Sequence, residues 1–238
     1  MKLIHLISGP RNISTALMYS FAQRHDTAVI DEPFYGYYLH STGADHPGKE
    51  EVINSLPIDA GEVIKNLTNL HQNKELLFIK NMAHHLDRVD LEFIKEMVNI
   101  LLIRDPKQIL SSYNAVRQNP SLDDIGLKKQ FEIYNFLSEQ KLNPIVINSN
   151  DILENPEEAL LLLCEKIQIP FDENMLHWNA GPIPEDGVWA KYWYGNVHKS
   201  TGFEKQETSS RILPDSLLQT YHDALPYYET LNIHSLKI

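Results

Sequence analysis

Five short apolar runs, separated by stretches with helical spacing, most constrain what this chain can fold into. The runs are Lys2–Ile7, Thr27–Ile30, Leu76–Ile79, Asn99–Ile103 and Pro144–Ile147. Each run is brief and almost wholly apolar, which is typical of strands buried on both faces. Strands that alternate with helices form a parallel sheet with helices on both sides. The sequence therefore predicts an α/β fold, with three layers (α/β/α) around a mainly parallel five-stranded sheet.

Polar residues mark where several intervening helices begin. Three capped helix starts are predicted: at Asp59 with Glu62, at Asp105-Pro106 with Gln108, and at Asn155-Pro156. A further helix is predicted where apolar residues recur at helical spacing: Leu127, Phe131, Tyr134 and Leu137. The helix predicted to begin at Asp59 is expected to reach about His71. Two stretches, His40–Leu56 and Trp178–Ser210, contain Gly and Pro without periodicity and are predicted to be loops.

The composition indicates a globular protein and limits the classes of partner that it is expected to bind. The chain has 238 residues, 42% apolar and 22% charged, so we expect one domain spanning residues 1–238. Lys and Arg number 21 against 32 Asp and Glu, and this net charge of −11 argues against a nucleic-acid-binding surface. The single cysteine, Cys164, excludes an internal disulfide and is expected in the core. Neither a signal peptide nor a membrane-spanning run is evident, so we expect a cytoplasmic protein.

The strongest local signal is the octapeptide Ser8-Gly-Pro-Arg-Asn-Ile-Ser-Thr15, between the first strand and the next helix. A loop that leads into a helix N-terminus gathers unpaired backbone N–H groups, which favour an anion. Ser14 and Thr15 add hydroxyl donors, and Arg11 adds a cation. Phosphate binding and an ordinary turn capped by Ser14 both fit this pattern. The loop is not a Walker A motif, because no Gly-Lys-[ST] follows Gly9 at the required spacing, and this argues against ATP or GTP hydrolysis.

Charged residues also follow the other predicted strands. Arg104 ends the fourth strand, before a helix in which Ser112 comes two turns later, while Glu32 follows the second strand and Lys80 the third. Arginine is suited to forked contacts with phosphate, although a solvated arginine at a helix start has the same pattern. In an open α/β sheet, ligands bind beyond the carboxyl ends of the strands. We therefore expect these cations, Arg11 and one carboxylate to meet in a pocket for a multiply anionic ligand.

Together these motifs resemble the sulfotransferase family. The loop Pro10-Arg-Asn-Ile-Ser-Thr15 and the segment Arg104-Asp-Pro106 with Ser112 are similar to motifs of its bacterial and tyrosyl-protein-type members. They also resemble the sulfotransferase-like domain of plant proteins named for aminotransferase similarity. The matching motifs span about residues 4–113. The resemblance implies a P-loop-type fold and a cofactor, 3′-phosphoadenosine 5′-phosphosulfate (PAPS).

The resemblance also implies roles for individual residues. The loop that would hold the 5′-phosphosulfate comprises Pro10, Arg11, Asn12, Ile13, Ser14 and Thr15. Arg104 and Ser112 would hold the 3′-phosphate, and Glu32 matches the general base of some members. Sulfuryl transfer depends on in-line positioning and charge stabilisation. Arg11 would neutralise the leaving phosphate and Lys80 could act at the bridging oxygen. Glu32 would take the proton of a small-molecule hydroxyl or amine if burial raises its pKa. No metal is required.

Three positions depart from family patterns. Ile13 stands where family loops usually carry Gly, Lys80-Asn-Met82 lacks the histidine of a K-x-H base, and Lys199-Ser-Thr-Gly202 is only loosely similar to an Arg-Lys-Gly signature.

Three functions stay open. They are a PAPS-dependent sulfotransferase, a nucleotide-binding module without transferase activity, and a small-molecule kinase with Asp31 on Mg²⁺. Glu32 could instead be a helix N-terminal carboxylate beside Pro33, or an ion-pair partner of Arg11.

The remaining polar and aromatic residues allow more than one interpretation. His84 and His85 would splay apart on an extended backbone, which argues against a metal site. Four aromatic residues could stack on adenine, wall the acceptor pocket, or form a separate apolar cluster: Trp189, Tyr192, Trp193 and Tyr194. His198 could reach the site from a lid or lie in a solvated loop.

Overall fold

A parallel sheet organises the molecule. The computed structural model describes residues 1–69, 73–204 and 213–238. Its strands are β1 (Lys2–Ser8), β2 (Thr27–Asp31), β3 (Leu76–Met82), β4 (Val98–Ile103) and β5 (Ile145–Asn148). The strand order is β2-β3-β1-β4-β5, and every neighbouring pair is parallel. Each predicted run coincides with one of these strands, so the predicted α/β fold and its five-stranded sheet are confirmed.

Helices connect the strands. The α-helices in the described ranges are α1 (Ser14–Ala22), α2 (Tyr35–Thr42), α3 (Lys49–Ser55), α4 (Ala60–Thr68), α5 (Pro106–Tyr113), α6 (Leu122–Ile125), α7 (Leu127–Glu139), α8 (Ser149–Glu154), α9 (Pro156–Ile167), α10 (Ala190–Trp193) and α11 (Leu218–Ile233). Short 3₁₀ helices occupy Ala83–Leu86, Leu91–Glu96, Glu173–Leu176, Val197–Lys199 and Asp215–Leu217. Within the described ranges, every helix is too short or too polar to cross a lipid bilayer.

The two faces of the sheet carry separate apolar cores. Successive side chains of a strand point to opposite faces, so Leu6 and Ile7 of β1 enter different clusters. The Leu6 cluster packs against α1 and α9, and the Ile7 cluster packs against α4 and α7. Cys164 lies in the first cluster, as expected, and burial raises the pKa of its thiol to about 11. Because helices cover both faces of the sheet, a ligand site can form at the edge where the carboxyl ends of the strands meet.

Capping contacts follow the predictions in part. Asp59 accepts a hydrogen bond from the Glu62 backbone N–H at 2.8 Å and begins α4, whose predicted end at His71 lies outside the described residues. The helix predicted through Leu127 is observed as α7. The contact predicted for Gln108 is wrong, because its side-chain oxygen accepts from the Arg104 guanidinium instead. Helix α9 begins at Pro156, as predicted. The predicted capping hydrogen bond is wrong, because the Asn155 side chain makes none.

The two predicted loops differ in outcome. His40–Leu56 is not a loop throughout, because α2 extends to Thr42 and α3 fills Lys49–Ser55, where Val52 is fully buried. Residues 178–204 are largely irregular, as predicted, apart from α10 and one 3₁₀ turn. The remainder of that predicted loop, residues 205–210, lies outside the described residues. Buried apolar positions explain why α3 forms despite the neighbouring Gly and Pro.

Replacing Gly9 with Ala is expected to destabilise the protein. A Cβ atom at this position would lie 2.3 Å from the carbonyl oxygen of Ile125, a backbone atom that cannot rotate away. Overpacking of this kind costs about 1–3 kcal/mol, and the midpoint of thermal unfolding should fall by about 2–12 °C. Gly195→Ala is the matched control, because a Cβ atom there meets no heavy atom within 4 Å. Equal midpoints for the two variants would contradict the expected clash.

Candidate active site

A cleft of about 770 Å³ opens at the carboxyl edge of the sheet. The predicted site residues that line it are Pro10, Arg11, Asn12, Ile13, Ser14, Thr15, Glu32, Arg104 and Ser112. Lys80 does not line it and is 0% exposed. The structure therefore brings the two predicted phosphate-binding motifs and Glu32 together, and it leaves Lys80 behind the wall of the cleft.

The first loop presents backbone N–H groups to the cleft. Arg11 (φ 57°) and Ile13 (φ 54°) both adopt left-handed conformations, and loops of this kind form concave anion sites. Helix α1 begins at Ser14, so Ile13 rather than Ser14 occupies the capping position. No side chain caps this end, and its first turn contains no acidic residue. The side-chain amide of Asn12 donates to the carbonyl of Leu102 at 2.5 Å and anchors the loop to β4.

Two arginines lie close together here: Arg11 belongs to the loop itself, and Arg104 follows β4. The Arg11 Nε–H donates to the Ser112 hydroxyl at 2.9 Å, and an Nη1–H of Arg104 donates to the Arg11 carbonyl at 2.8 Å. Burial lowers the pKa of both guanidinium groups, and the proximity of Arg11 lowers that of Arg104 further. Arg104 is buried and Arg11 is half-buried, so a bound anion would stabilise the two neighbouring positive charges. We define this side of the cleft, with the loop and both arginines, as the cationic half.

A buried ion network supports Glu32. The Lys80 ammonium donates to Asp31 Oδ1 at 2.8 Å, to Glu32 Oε1 at 2.6 Å and to the Tyr194 hydroxyl at 2.7 Å. Tyr194 in turn donates to Asp31 Oδ2 at 2.7 Å. Burial opposes the charge on Lys80, but the two carboxylates raise its pKa overall. All three N–H groups of the Lys80 ammonium are therefore donated to acceptors within the protein. This arrangement conflicts with the role predicted for Lys80 at the bridging oxygen of the cofactor, and it makes Lys80 a support for Glu32.

Glu32 occupies a distinctive position in this network. It follows β2 in a left-handed conformation (φ 44°), and its side chain is 7% exposed. Burial raises the pKa of its carboxyl, more than the neighbouring Lys80 lowers it. Among the described residues, the carboxylate of Glu32 pairs with Lys80 and not with Arg11, the ion-pair partner that the sequence suggested. A carboxylate with a raised pKa at the wall of a cleft has the properties of a general base.

Aromatic rings and neutral histidines also line the cleft, and we call this set of residues the aromatic half. Its residues are Tyr35, His46, His84, His85, Tyr113 and Trp193. The ring of His46 lies 2.8 Å from the Tyr35 hydroxyl and accepts from Arg117 at 2.8 Å. Burial lowers the pKa of His46 to about 4 and that of His84 to about 3. These rings are therefore uncharged at neutral pH.

A sequence model of the sulfotransferase domain matches residues 1–235. The chain belongs to the sulfotransferase-domain family. Branched-chain-amino-acid aminotransferase-like proteins 2 and 1 of Arabidopsis thaliana are 38% identical over 235 residues and 39% identical over 234 residues. These matches cover 98% of this chain but 42% of each relative, so this sulfotransferase domain spans about two fifths of their length.

Solved sulfotransferase domains share the fold. The domain from the Synechococcus PCC 7002 olefin synthase superposes with a TM-score of 0.65 at 19% identity, covering 99% of this chain and 96% of that one. The domain from the curacin biosynthetic pathway gives a TM-score of 0.55 at 18% identity, covering 95% and 98%. The predicted family resemblance and the sheet architecture are thus confirmed.

Some residues that line the cleft were not predicted as site residues. His46 belongs to no local motif, and Gln108 was predicted only as part of a helix cap. Tyr194 was one of four aromatic candidates, and its hydroxyl joins Asp31 and Lys80 rather than a free aromatic wall. His198 lies 2.9 Å from Asp186 and outside the cleft lining. Among the described residues, no group of three or more His, Cys, Asp or Glu side chains is placed to hold a metal ion.

Proposed function

We propose that this domain transfers a sulfuryl group from PAPS to a hydroxyl or amine of a small-molecule acceptor. The observation that carries the proposal is that Glu32 lines the same cleft as the cationic half and lies 3.7 Å from His85 of the aromatic half. A donor rich in phosphate suits the first half, and an uncharged organic acceptor suits the second. Glu32 would then act where the two ligands meet.

The donor set of the cationic half fits PAPS. The uncapped start of α1 and the left-handed loop offer N–H groups to a 5′-phosphosulfate, and Ser14 and Thr15 add hydroxyls. Arg104 and Ser112 would hold the 3′-phosphate, and Lys199, which also lines the cleft, adds a further cation. PAPS, when bound, supplies an activated sulfuryl group. Arg11 would face the negative charge that develops on the leaving phosphate.

Glu32 would remove the acceptor's proton. Its Oε1 atom accepts a hydrogen bond from Lys80 at 2.6 Å, which fixes the orientation of the carboxylate and leaves Oε2 for the proton. Asp31 accepts from the same ammonium and from Tyr194, so one ammonium serves two carboxylates, and burial together with the charge of Asp31 raises the pKa of Glu32. Lys80 and Asp31, neither of which lines the cleft, thus position the base from behind its wall.

Thermal unfolding with nucleotides tests the proposed cofactor. Adenosine 3′,5′-bisphosphate (PAP) at 100 times its dissociation constant stabilises a protein by about 2.7 kcal/mol, which for a domain of this size raises the midpoint by about 5–10 °C. We expect this shift with PAP and none with ADP or Mg-ATP. A PAPS assay that detects PAP release across an acceptor panel then tests transfer. A shift with Mg-ATP alone would support a kinase, and no shift with any nucleotide would exclude the proposal.

A nucleotide-binding module without transferase activity is the second candidate. The observation that favours it is the withdrawal of Lys80 from the cleft, where a cation at the bridging oxygen was predicted. The left-handed conformation of Ile13, which costs a β-branched residue about 1–3 kcal/mol, also departs from the family's glycine pattern. Stabilisation by PAP without transfer to any acceptor would favour this candidate.

Arg104→Ala is expected to weaken PAP binding. Loss of a charge-assisted contact to the 3′-phosphate costs about 2–3 kcal/mol, which corresponds to an increase in Kd of about 30- to 150-fold. Isothermal titration with PAP measures this change. Adenosine 5′-phosphate, which lacks the 3′-phosphate, is the control ligand and should bind the variant and the native protein equally. An equal loss for both nucleotides would instead show that Arg104 acts through its bond to the Arg11 carbonyl.

A further inference from the structure

Gln108 is a polar residue of the cleft that has no role in the proposed function. It lies on α5 four residues before Ser112, so the two side chains share one face of the helix. It also contacts Arg104, which precedes it by four residues. All three side chains line the cleft. Gln108 therefore adjoins both residues to which the 3′-phosphate has been assigned.

The contact with Arg104 fixes the direction of the Gln108 amide. The Arg104 Nε–H donates to Gln108 Oε1 at 2.8 Å. A guanidinium group can only donate hydrogen bonds, so the amide atom that faces it is the oxygen and not the nitrogen. The NH₂ group of Gln108 consequently points away from the Arg104 Nε–H.

The Gln108 NH₂ group is accessible and has no partner within the protein. Among the described residues, its Nε2 atom donates to no acceptor, and Gln108 is only half-buried. Nε2 is not one of the buried polar atoms that lack a partner, so water or a ligand can reach it. Ser112 is comparable, because its Oγ accepts from the Arg11 Nε–H at 2.9 Å and its own proton is donated to none of the described residues. Two neutral side chains of α5 thus each hold an arginine and keep a donor for a ligand.

We propose that Gln108 is a direct ligand of the 3′-phosphate: Nε2–H donates to a phosphate oxygen while Oε1 holds Arg104. This inference rests on the proposed function and adds a residue to its cofactor site. A hydrogen bond to an ionised acceptor is about twice as strong as one between neutral groups. The neutrality of Gln108 matters, because a carboxylate in its place would also hold Arg104 but would repel the phosphate.

Substitutions of Gln108 test this role through PAP binding, measured by calorimetric titration. Gln108→Met keeps the length of the side chain and removes both the acceptor and the donor, and we expect the Kd for PAP to rise by about 10- to 100-fold. Gln108→Glu keeps an acceptor for Arg104 and should weaken PAP binding more than Gln108→Met does. Gln140→Met, at an exposed glutamine that does not line the cleft, is the matched control.

A double-mutant cycle separates a direct ligand from a residue that only orients Arg104. If Gln108 acted only through Arg104, Gln108→Met would have no effect once Arg104 is replaced by alanine. We expect the double variant to bind PAP about 10-fold more weakly than Arg104→Ala alone. Adenosine 5′-phosphate, which lacks the 3′-phosphate, should bind both variants equally. Equal affinities of the single and double variants for PAP would overturn the proposal.

NMR of the side-chain amide observes the bond in the native protein. We expect one ¹H resonance of the Gln108 NH₂ group to move downfield when PAP is added and to stay in place when adenosine 5′-phosphate is added. The Gln108→Met spectrum identifies this pair of signals by their absence. A Gln108 pair that PAP saturation does not move would also overturn the proposal.

The outcomes distinguish this inference from the proposed function. Wild-type protein that binds PAP no more tightly than adenosine 5′-phosphate would refute the 3′-phosphate site itself, and with it the proposed cofactor. Wild-type protein that prefers PAP, together with a Gln108→Met variant that keeps the full preference, would refute only the role of Gln108.

Discussion

Glu32→Gln is expected to lower turnover by about 10²- to 10⁴-fold while leaving the affinity for PAP unchanged. The amide keeps the shape of the side chain and still accepts from Lys80 through its oxygen, but it cannot take a proton. PAP release in the PAPS assay measures turnover, and calorimetric titration measures PAP binding. Glu51→Gln, at an exposed carboxylate, is the matched control. Turnover retained by Glu32→Gln would exclude Glu32 as the base.

The pH dependence should report the same group. Burial raises the pKa of Glu32, and a base must be deprotonated to act. We therefore expect kcat/KM to fall as pH decreases through a value above the ordinary glutamate pKa of about 4.3. A pH profile of kcat/KM measures this limb. An acid limb at or below the ordinary value would contradict the raised pKa.

Lys80→Met is expected to produce the largest loss of stability. Lys80 is fully buried and is the partner of two buried carboxylates. Breaking a buried ion pair by removing one partner costs about 3–5 kcal/mol, because uncompensated charge remains in the interior. For a domain of this size the unfolding midpoint should fall by about 6–20 °C. Calorimetry or urea unfolding at neutral pH measures this change.

Two controls define the origin of this loss. Burial raises the pKa of Glu32 and Lys80 opposes that rise, so without Lys80 the destabilisation should shrink as pH falls and the Glu32 carboxyl becomes neutral. Adding Asp31→Asn and Glu32→Gln to Lys80→Met should recover most of the stability. Lys95→Met, which removes a more exposed ion pair with Glu92, should cost only about 0–1 kcal/mol. A Lys80→Met protein as stable as the wild type would refute the ion network.

The sequence predicted the sheet and the cationic half because their signals are local. A buried parallel strand is a short apolar run, and the loop before α1 lies within eight consecutive residues. The convergence of Arg11, Glu32 and Arg104 followed from one topological rule about the carboxyl ends of parallel strands.

The remaining parts of the site depend on contacts that no local pattern contains. Lys80 follows the same topological rule, yet two adjacent carboxylates and a distant tyrosine hydroxyl draw its ammonium away from the cleft. Gln108 matched a capping pattern, but a charge-assisted bond from Arg104 is stronger than the cap. The aromatic half combines α2, the turn after β3 and the segment near Trp193, so its composition becomes visible only in three dimensions.

The attachment of Tyr194 to the Lys80 network has a consequence for synthesis on the ribosome. The two residues are 114 positions apart, and at about 5–20 residues per second the tyrosine is made roughly 6–23 s after the lysine. All five strands precede Tyr194 in the chain, so the sheet can pair before the network is complete. A chain that ended in that interval would carry the loop before α1 without the finished surroundings of Glu32. The ion network is thus completed late, after the sheet that supports it.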